Sequence, residues 1–124
     1  MSHINSEERR KAERYKSSIP VLIKTKDHAK IYECTLIDIS KNGFAVRVEN
    51  GKLKMMPEEH FLLIVNASLF DLEDQQNIEI NSVCKRIENE NNILGAVFYQ
   101  NTETTEKFIN IILTYFKKVN ENLY

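Results

Sequence analysis

A carboxylate and a hydroxyl group lie two residues apart, just before the strongest turn signal in the chain. Asp38 and Ser40 precede Asn42-Gly43, and this pair favours a type I′ hairpin turn because both central residues of that turn have positive φ. The turn needs Asn and Gly, but it does not need the carboxylate or the hydroxyl. We therefore expect Asp38 and Ser40 to lie side by side and to offer hydrogen bonds to a bound molecule.

A second group of charged residues lies near the amino terminus. The segment from Glu7 to Lys16 contains five basic and three acidic residues, with Arg10 and Arg14 four positions apart. No apolar stripe runs through the segment, so it is not expected to form a core helix. It is either a solvated charged arm or an arm that becomes ordered around an anion, because guanidinium groups carry paired donors that suit phosphate.

Six segments that must position these groups have the apolar patterns of β-strands. Their connections are short and polar, and no helix is predicted between them. This arrangement favours a mainly β fold, either an antiparallel barrel or a sandwich. Leu69-Phe70 is expected to extend the fourth strand. The predicted strands are Ile19–Lys24, Ile31–Asp38, Phe44–Val48, His60–Asn66, Ile78–Ile87 and Ile93–Tyr99.

The apolar pattern changes from that of a strand to that of a helix after Thr102. Thr102 is a suitable N-cap, and the acidic first turn and the basic pair Lys117-Lys118 in the last turn suit the helix dipole. The broad apolar face of this helix must be covered, either by an open end of the barrel or by a second copy of the chain in a dimer. The face consists of Phe108, Ile109, Ile111, Ile112, Tyr115, Phe116 and Val119.

Composition limits the classes of protein to which the chain belongs. Its 124 residues, 42% of them hydrophobic, suit one domain, and a formal net charge of −1 argues against a generally basic nucleic-acid binder. No apolar run reaches the ~18 residues of a membrane span, and the polar amino end lacks a signal-peptide core, so a cytoplasmic location is expected. Cys34 and Cys84 are expected to be buried free thiols. The three scattered histidines predict no metal site.

Three motifs, in chain order, resemble those of the PilZ domain family. The first is RxxxR before the first strand, the second is DxSxxG between the second and third strands, and the third is GxxF in the last strand, after a strand that reads VxxR. The similarity spans about residues 9 to 119. In this sequence the motif residues are Arg10 and Arg14; Asp38, Ser40 and Gly43; Val83 and Arg86; and Gly95 to Phe98.

This resemblance implies both a fold and a function. The expected fold is a six-stranded antiparallel β-barrel with a C-terminal α-helix packed on it, formed by residues 17–124, after a flexible N-terminal arm, residues 1–16. The expected function is that of a receptor for bis-(3′-5′)-cyclic dimeric GMP (cyclic di-GMP), held between the arm and the DxSxxG turn. A downstream protein partner is expected, and no cofactor, catalytic residue, nucleic acid or membrane span.

The resemblance also implies roles for five residues. Arg10 and Arg14 would bond phosphate or the O6/N7 edge of guanine. Asp38 would accept protons from the opposite edge of guanine, and Ser40 would donate or accept a hydrogen bond beside it. Gly43 would supply a backbone with positive φ.

Stoichiometry and other functions stay open at this stage. Within the family, an arginine at the position of Arg9 tends to accompany a stacked ligand dimer, so one molecule or two are possible. The main alternative is a PilZ-like adaptor that binds a protein and no nucleotide. A barrel for single-stranded nucleic acid is disfavoured because the aromatic residues occupy apparent core positions. An enzyme is disfavoured because no nucleophile–base pair or phosphate-binding glycine loop is present.

Overall fold

The protein is a closed six-stranded barrel with one C-terminal helix. The computed structural model describes residues 13–27, 30–70, 77–99 and 102–121. The strands pair antiparallel in the order β1-β2-β3-β6-β5-β4, and β4 closes on β1. The predicted mainly β barrel is therefore confirmed. Its elements are β1 (Tyr15–Thr25), β2 (Ile31–Ile39), β3 (Gly43–Val48), β4 (His60–Asn66), a 3₁₀ turn (Ala67–Phe70), β5 (Asn77–Glu88), β6 (Ile93–Phe98) and α1 (Glu103–Glu121).

Two of the predicted boundaries differ from the structure by more than one residue. β1 begins at Tyr15 rather than Ile19, because Tyr15 pairs with Ile39 at the end of β2. Residues 15 and 16, assigned to the arm from the sequence, therefore belong to the barrel. The expected extension of β4 through Leu69-Phe70 is wrong. The side chain of Asn66 accepts hydrogen bonds from the backbone N–H and hydroxyl of Ser68, at 3.0 and 2.8 Å, and the chain turns there into the 3₁₀ turn.

The barrel interior is filled by alternate residues of every strand. The alternation follows from the pleat, which sends successive side chains to opposite faces. Cys34 and Cys84 are both free and buried, as predicted. Burial raises the pKa of the Cys34 thiol to about 12 and that of Cys84 to about 11, so both thiols stay protonated at neutral pH. Fully buried core side chains include Ile23, Leu36, Phe44, Leu63, Ile80 and Leu94.

The helix α1 packs on the barrel where β1 begins and the 3₁₀ turn follows β4. Its buried stripe is Ile109, Ile112 and Phe116. Asn120 Nδ2 donates to the Lys16 backbone oxygen at 3.2 Å. At the amino end of the helix, Thr102 is the N-cap, as predicted, because its Oγ1 accepts a hydrogen bond from the Thr105 N–H at 3.1 Å. The helix is thus part of the domain. Across the described ranges, no helix is long and apolar enough to cross a membrane.

Candidate functional site

The pairing of β1 with β2 brings the second arginine of RxxxR to the aspartate of DxSxxG. Tyr15 lies opposite Ile39 in this register, and Lys16 lies opposite Asp38. Arg14 comes just before Tyr15, and its Nη1 donates to Asp38 Oδ1 at 2.8 Å. The two side chains are 59% and 25% exposed. Two motifs that are 24 residues apart in sequence therefore meet on the barrel surface.

An irregularity in β2 places the Asp38 carboxylate outside the barrel. Tyr32, Cys34 and Leu36 are buried, so strict alternation would also bury residue 38. The register with β3 shifts between Leu36 and Asp38, and the next buried residue is Ile39. This is a β-bulge, which inserts one residue and redirects the side chains that follow it. The bulge is the reason that a carboxylate is available at the surface here.

Ser40 shapes the turn instead of lying exposed beside Asp38. It is 2% exposed, and its Oγ accepts the backbone N–H groups of Asn42 and Gly43 at 3.2 and 3.3 Å. Its own N–H donates to the Gly43 oxygen at 2.8 Å. The structure therefore does not bring the Ser40 hydroxyl to the surface beside the carboxylate. The hydroxyl instead fixes the conformation of the turn between β2 and β3.

The reason for glycine at position 43 also differs from the prediction. Neither Asn42 nor Gly43 has a positive φ, so the expected type I′ turn is wrong. The turn is stabilised by hydrogen bonds from the Asn42 and Gly43 N–H groups to the Ser40 hydroxyl. Gly43 is required by packing, because a Cβ there would collide with the Ala96 carbonyl oxygen of β6. Glycine is needed here because two strands approach closely, and not because the backbone has a positive φ.

The remaining predicted site residues, Arg9 and Arg10, lie outside the described residues. Lys16 was given no role from the sequence, yet it is exposed and lies directly opposite Asp38. Its place at the site follows from the register of β1 with β2. The sequence signal for it was its position two residues after Arg14, which puts both side chains on one face of a strand.

Two grooves in the described part of the surface are lined by residues other than Arg14 and Asp38. One, of about 430 Å³, lies between the start of β1, Lys41 and α1. Another, of about 710 Å³, runs along the exposed side of α1. The Arg14–Asp38 pair lines neither of them. Among the residues described, no three His, Cys, Asp or Glu side chains are grouped to hold a metal ion.

The PilZ domain family model matches residues 8–115. The chain belongs to the PilZ domain family. The match covers most of the chain and includes both the arginine motif and the DxSxxG turn. No curated protein matches this chain in sequence.

Solved PilZ domains share its fold. The PilZ domain of YcgR from Escherichia coli, solved with c-di-GMP, is 17% identical and superposes with a TM-score of 0.69 over 92% of this chain and 95% of that one. The PilZ domain of CeSA from a cellulose-synthesizing bacterium is 16% identical, with a TM-score of 0.67 over 85% and 98%. MotI/DgrA, the inhibitor of motility of Bacillus subtilis, is 20% identical, with a TM-score of 0.66 over 92% of this chain and 52% of that one.

Proposed function

We propose that this PilZ domain is a receptor for cyclic di-GMP. The observation that carries the proposal is the contact between Arg14 and Asp38, 2.8 Å apart on the outer surface of the barrel. An exposed ion pair of this kind adds little to stability, about 1 kcal/mol or less. The presence of the pair is better explained by the hydrogen bonds that its guanidinium and its carboxylate can form with a ligand. Membership of the family supports the same ligand, and the YcgR domain was solved with it.

The two groups suit two different parts of a guanine nucleotide. A guanidinium can bond phosphate through paired donors, or the O6/N7 edge of guanine. A carboxylate accepts hydrogen bonds only, and the Watson–Crick edge of guanine offers it an N1–H and an N2 amine. Arg14 uses one oxygen of Asp38, and a carboxylate has further lone pairs for a ligand. The pair therefore favours guanine over adenine.

We further propose that Arg9 and Arg10 complete the site from the arm that precedes β1. They precede Arg14 by five and four positions. An arm that reaches the surface at Asp38 would bring their guanidinium groups to the phosphates. Arg9 is the residue that would allow a stacked pair of ligand molecules rather than one. Ser40 and Gly43 act indirectly, since they fix the turn that follows Asp38.

The domain carries out signalling by binding, with no catalytic step, and its output passes through a protein partner.

A second candidate function, an adaptor that binds a partner without nucleotide, is favoured by one feature of the surface. Tyr115 and Val119 of α1 are 40% and 38% exposed although they belong to its apolar face. MotI/DgrA, which shares this fold, is by its name an inhibitor of motility.

Calorimetry with three variants and the parent chain tests the proposal. Arg14→Ala and Asp38→Ala should each weaken cyclic di-GMP binding by about tenfold or more, because each removes a charge-assisted hydrogen bond. Lys54→Ala is the control, since it removes an exposed positive charge from the loop that contacts Tyr32, at the far end of β2. Lys54→Ala should bind like the parent. Absence of binding by the parent chain would favour the adaptor instead.

A further inference from the structure

The outer face of β1 and β4 carries apolar side chains that point away from the barrel core. Leu22 of β1 is 36% exposed and lies directly opposite Ile64 of β4. Ile31 of β2, which is 52% exposed, and Leu62 of β4 lie beside this pair. Each of the four alternates with buried residues of its own strand, so all four point outward. Single apolar residues are common on surfaces, but a contiguous patch marks an interaction site.

The strand pairing arranges this face in two neighbouring rows. Residues directly opposite one another in paired strands point to the same face, and the rows lie two residues apart along each strand, about 7 Å. Across β2, β1, β4 and β5, the first row is Ile31, Lys24, Leu62 and Asn81. In the same order, the second row is Glu33, Leu22, Ile64 and Glu79.

The two rows carry opposite charges. Across the described ranges, Lys24, Glu33 and Glu79 form no ion pair. The first row offers hydrogen-bond donors, an ammonium and the amide of Asn81, whereas the two carboxylates of the second row only accept. A partner of a single charge sign would set one of the rows against a like charge, which is costly. A surface that carries both rows is complementary to a copy of itself.

We propose that the outer face of β1 and β4 binds a second copy of the chain. The two-fold axis runs between the rows, at right angles to the strands, so the first row of one protomer lies on the second row of its partner. Leu62 then packs against Ile64 of the partner subunit, and every contact occurs twice, as an isologous interface requires. This proposal goes beyond the receptor function and does not depend on it.

The same rotation pairs the polar groups of the two rows. Asn81 comes to lie over Glu79 of the partner subunit and can donate a hydrogen bond to its carboxylate. The stem of Lys24 lies over the partner's Leu22, and its ammonium reaches the partner's Glu33, one strand spacing or about 5 Å to the side. The interface therefore has an apolar centre and a charged rim, which is the usual anatomy of a protein interface.

The proposed interface is separate from the Arg14–Asp38 site. Lys16, which lies opposite Asp38, precedes Leu22 by six residues in β1, about 20 Å along the strand. Dimerisation and nucleotide binding can therefore be measured independently of one another.

Sedimentation velocity of the full chain tests the dimer through its apolar centre. The parent should dimerise with a dissociation constant below about 100 µM. Leu22→Asp should weaken dimerisation by about tenfold or more, because it adds a charge to the apolar centre. Val119→Asp is the matched control, since Val119 is 38% exposed and belongs to the apolar face of α1. It should dimerise like the parent.

Exchange of charges tests the arrangement of the rows. Lys24→Glu and Glu33→Lys should each weaken dimerisation by about tenfold, because each sets like charges against one another. The double variant Lys24→Glu/Glu33→Lys restores opposite charges in both protomers and should return to within about threefold of the parent. Lys107→Glu makes the same charge change on the exposed side of α1 and should have no effect on dimerisation.

The possible outcomes separate this proposal from the receptor function. A parent chain that stays monomeric up to about 1 mM overturns the dimer. A dimer that Val119→Asp dissociates and Leu22→Asp does not would use α1, and this also refutes the proposal. Failure of the double charge variant to restore dimerisation refutes the pairing of the two rows. Absence of cyclic di-GMP binding in calorimetry, with the dimer intact, overturns the receptor function alone.

Discussion

Gly43 and Gly95 are both on the outer side of the β3–β6 pair, but they are needed for different reasons. A Cβ on Gly43 would meet the backbone oxygen of Ala96, whereas one on Gly95 would meet a side chain. Backbone in a strand pair cannot yield without loss of hydrogen bonds. Gly43→Ala should therefore lower the free energy of unfolding by about 1–3 kcal/mol. Gly95→Ala should lower it by less than about 1 kcal/mol. Urea denaturation of the two variants measures the difference, and equal losses would contradict this explanation.

Asp38 is expected to contribute most of the selectivity for guanine over adenine. Adenine presents an acceptor at N1, which would face the lone pairs of the carboxylate. Sites built around a specific hydrogen bond reject analogues that lack it by up to ~10⁴-fold when buried. Asp38 is partly exposed, so we expect a preference of about 10²-fold for cyclic di-GMP over cyclic di-AMP. Asp38→Ala should narrow that preference in parallel titrations. A preference that survives the substitution would limit Asp38 to a structural role.

At the residue scale, the motifs predicted a ligand held between the arginine arm and the DxSxxG turn, and the structure places Arg14 against Asp38. That these two residues bind a ligand stays a prediction. It did not predict the role of Ser40, because a serine before Asn-Gly looks free to bind ligand. The hydrogen bonds from Asn42 and Gly43 that engage its hydroxyl depend on the turn geometry. Arg9 and Arg10 stay predictions.

At the scale of elements, strands and helix could be read from apolar periodicity, but the bulges could not be assigned. A bulge is defined by two strands, and the pairing partners are distant in sequence. A signal was nevertheless present. Leu36 and Ile39 are three apart in β2, and Cys84 and Ile87 are three apart in β5. A step of three within a period of two indicates an inserted residue.

Substitutions in α1 test whether this helix packs on the barrel. Ile112 is fully buried, so Ile112→Asp would bury an unpaired charge and should destabilise the domain by about 3 kcal/mol or more. Thr114→Asp is the control, because residue 114 is exposed on the same helix; it should shift stability by less than about 0.5 kcal/mol. Thermal unfolding gives the melting temperatures of the two variants, which are compared with that of the parent. Melting of Ile112→Asp at the temperature of the parent would mean that α1 is dispensable for the barrel.

At the scale of the whole molecule, the near-zero net charge means that any anion site must be local. We expect ligand to order the arm, since fixing each residue costs about 1–2 kcal/mol and several charge-assisted bonds are needed to offset it. Amide hydrogen exchange in residues 7–14 should slow when cyclic di-GMP is added. The far loop around Lys54 should exchange at the same rate in both states. Unchanged exchange in residues 7–14 would refute an arm that orders on binding.

The central claim is that cyclic di-GMP binds on the outer surface of the barrel where Arg14 meets Asp38. A nuclear magnetic resonance titration of the isotopically labelled chain tests the ligand and the location together. Saturable shifts should appear at the amides of Arg14, Asp38 and Ala45, which pairs with Asp38, while those around Lys54 stay in place. No saturable shift, or shifts confined to the loop around Lys54, would contradict the claim.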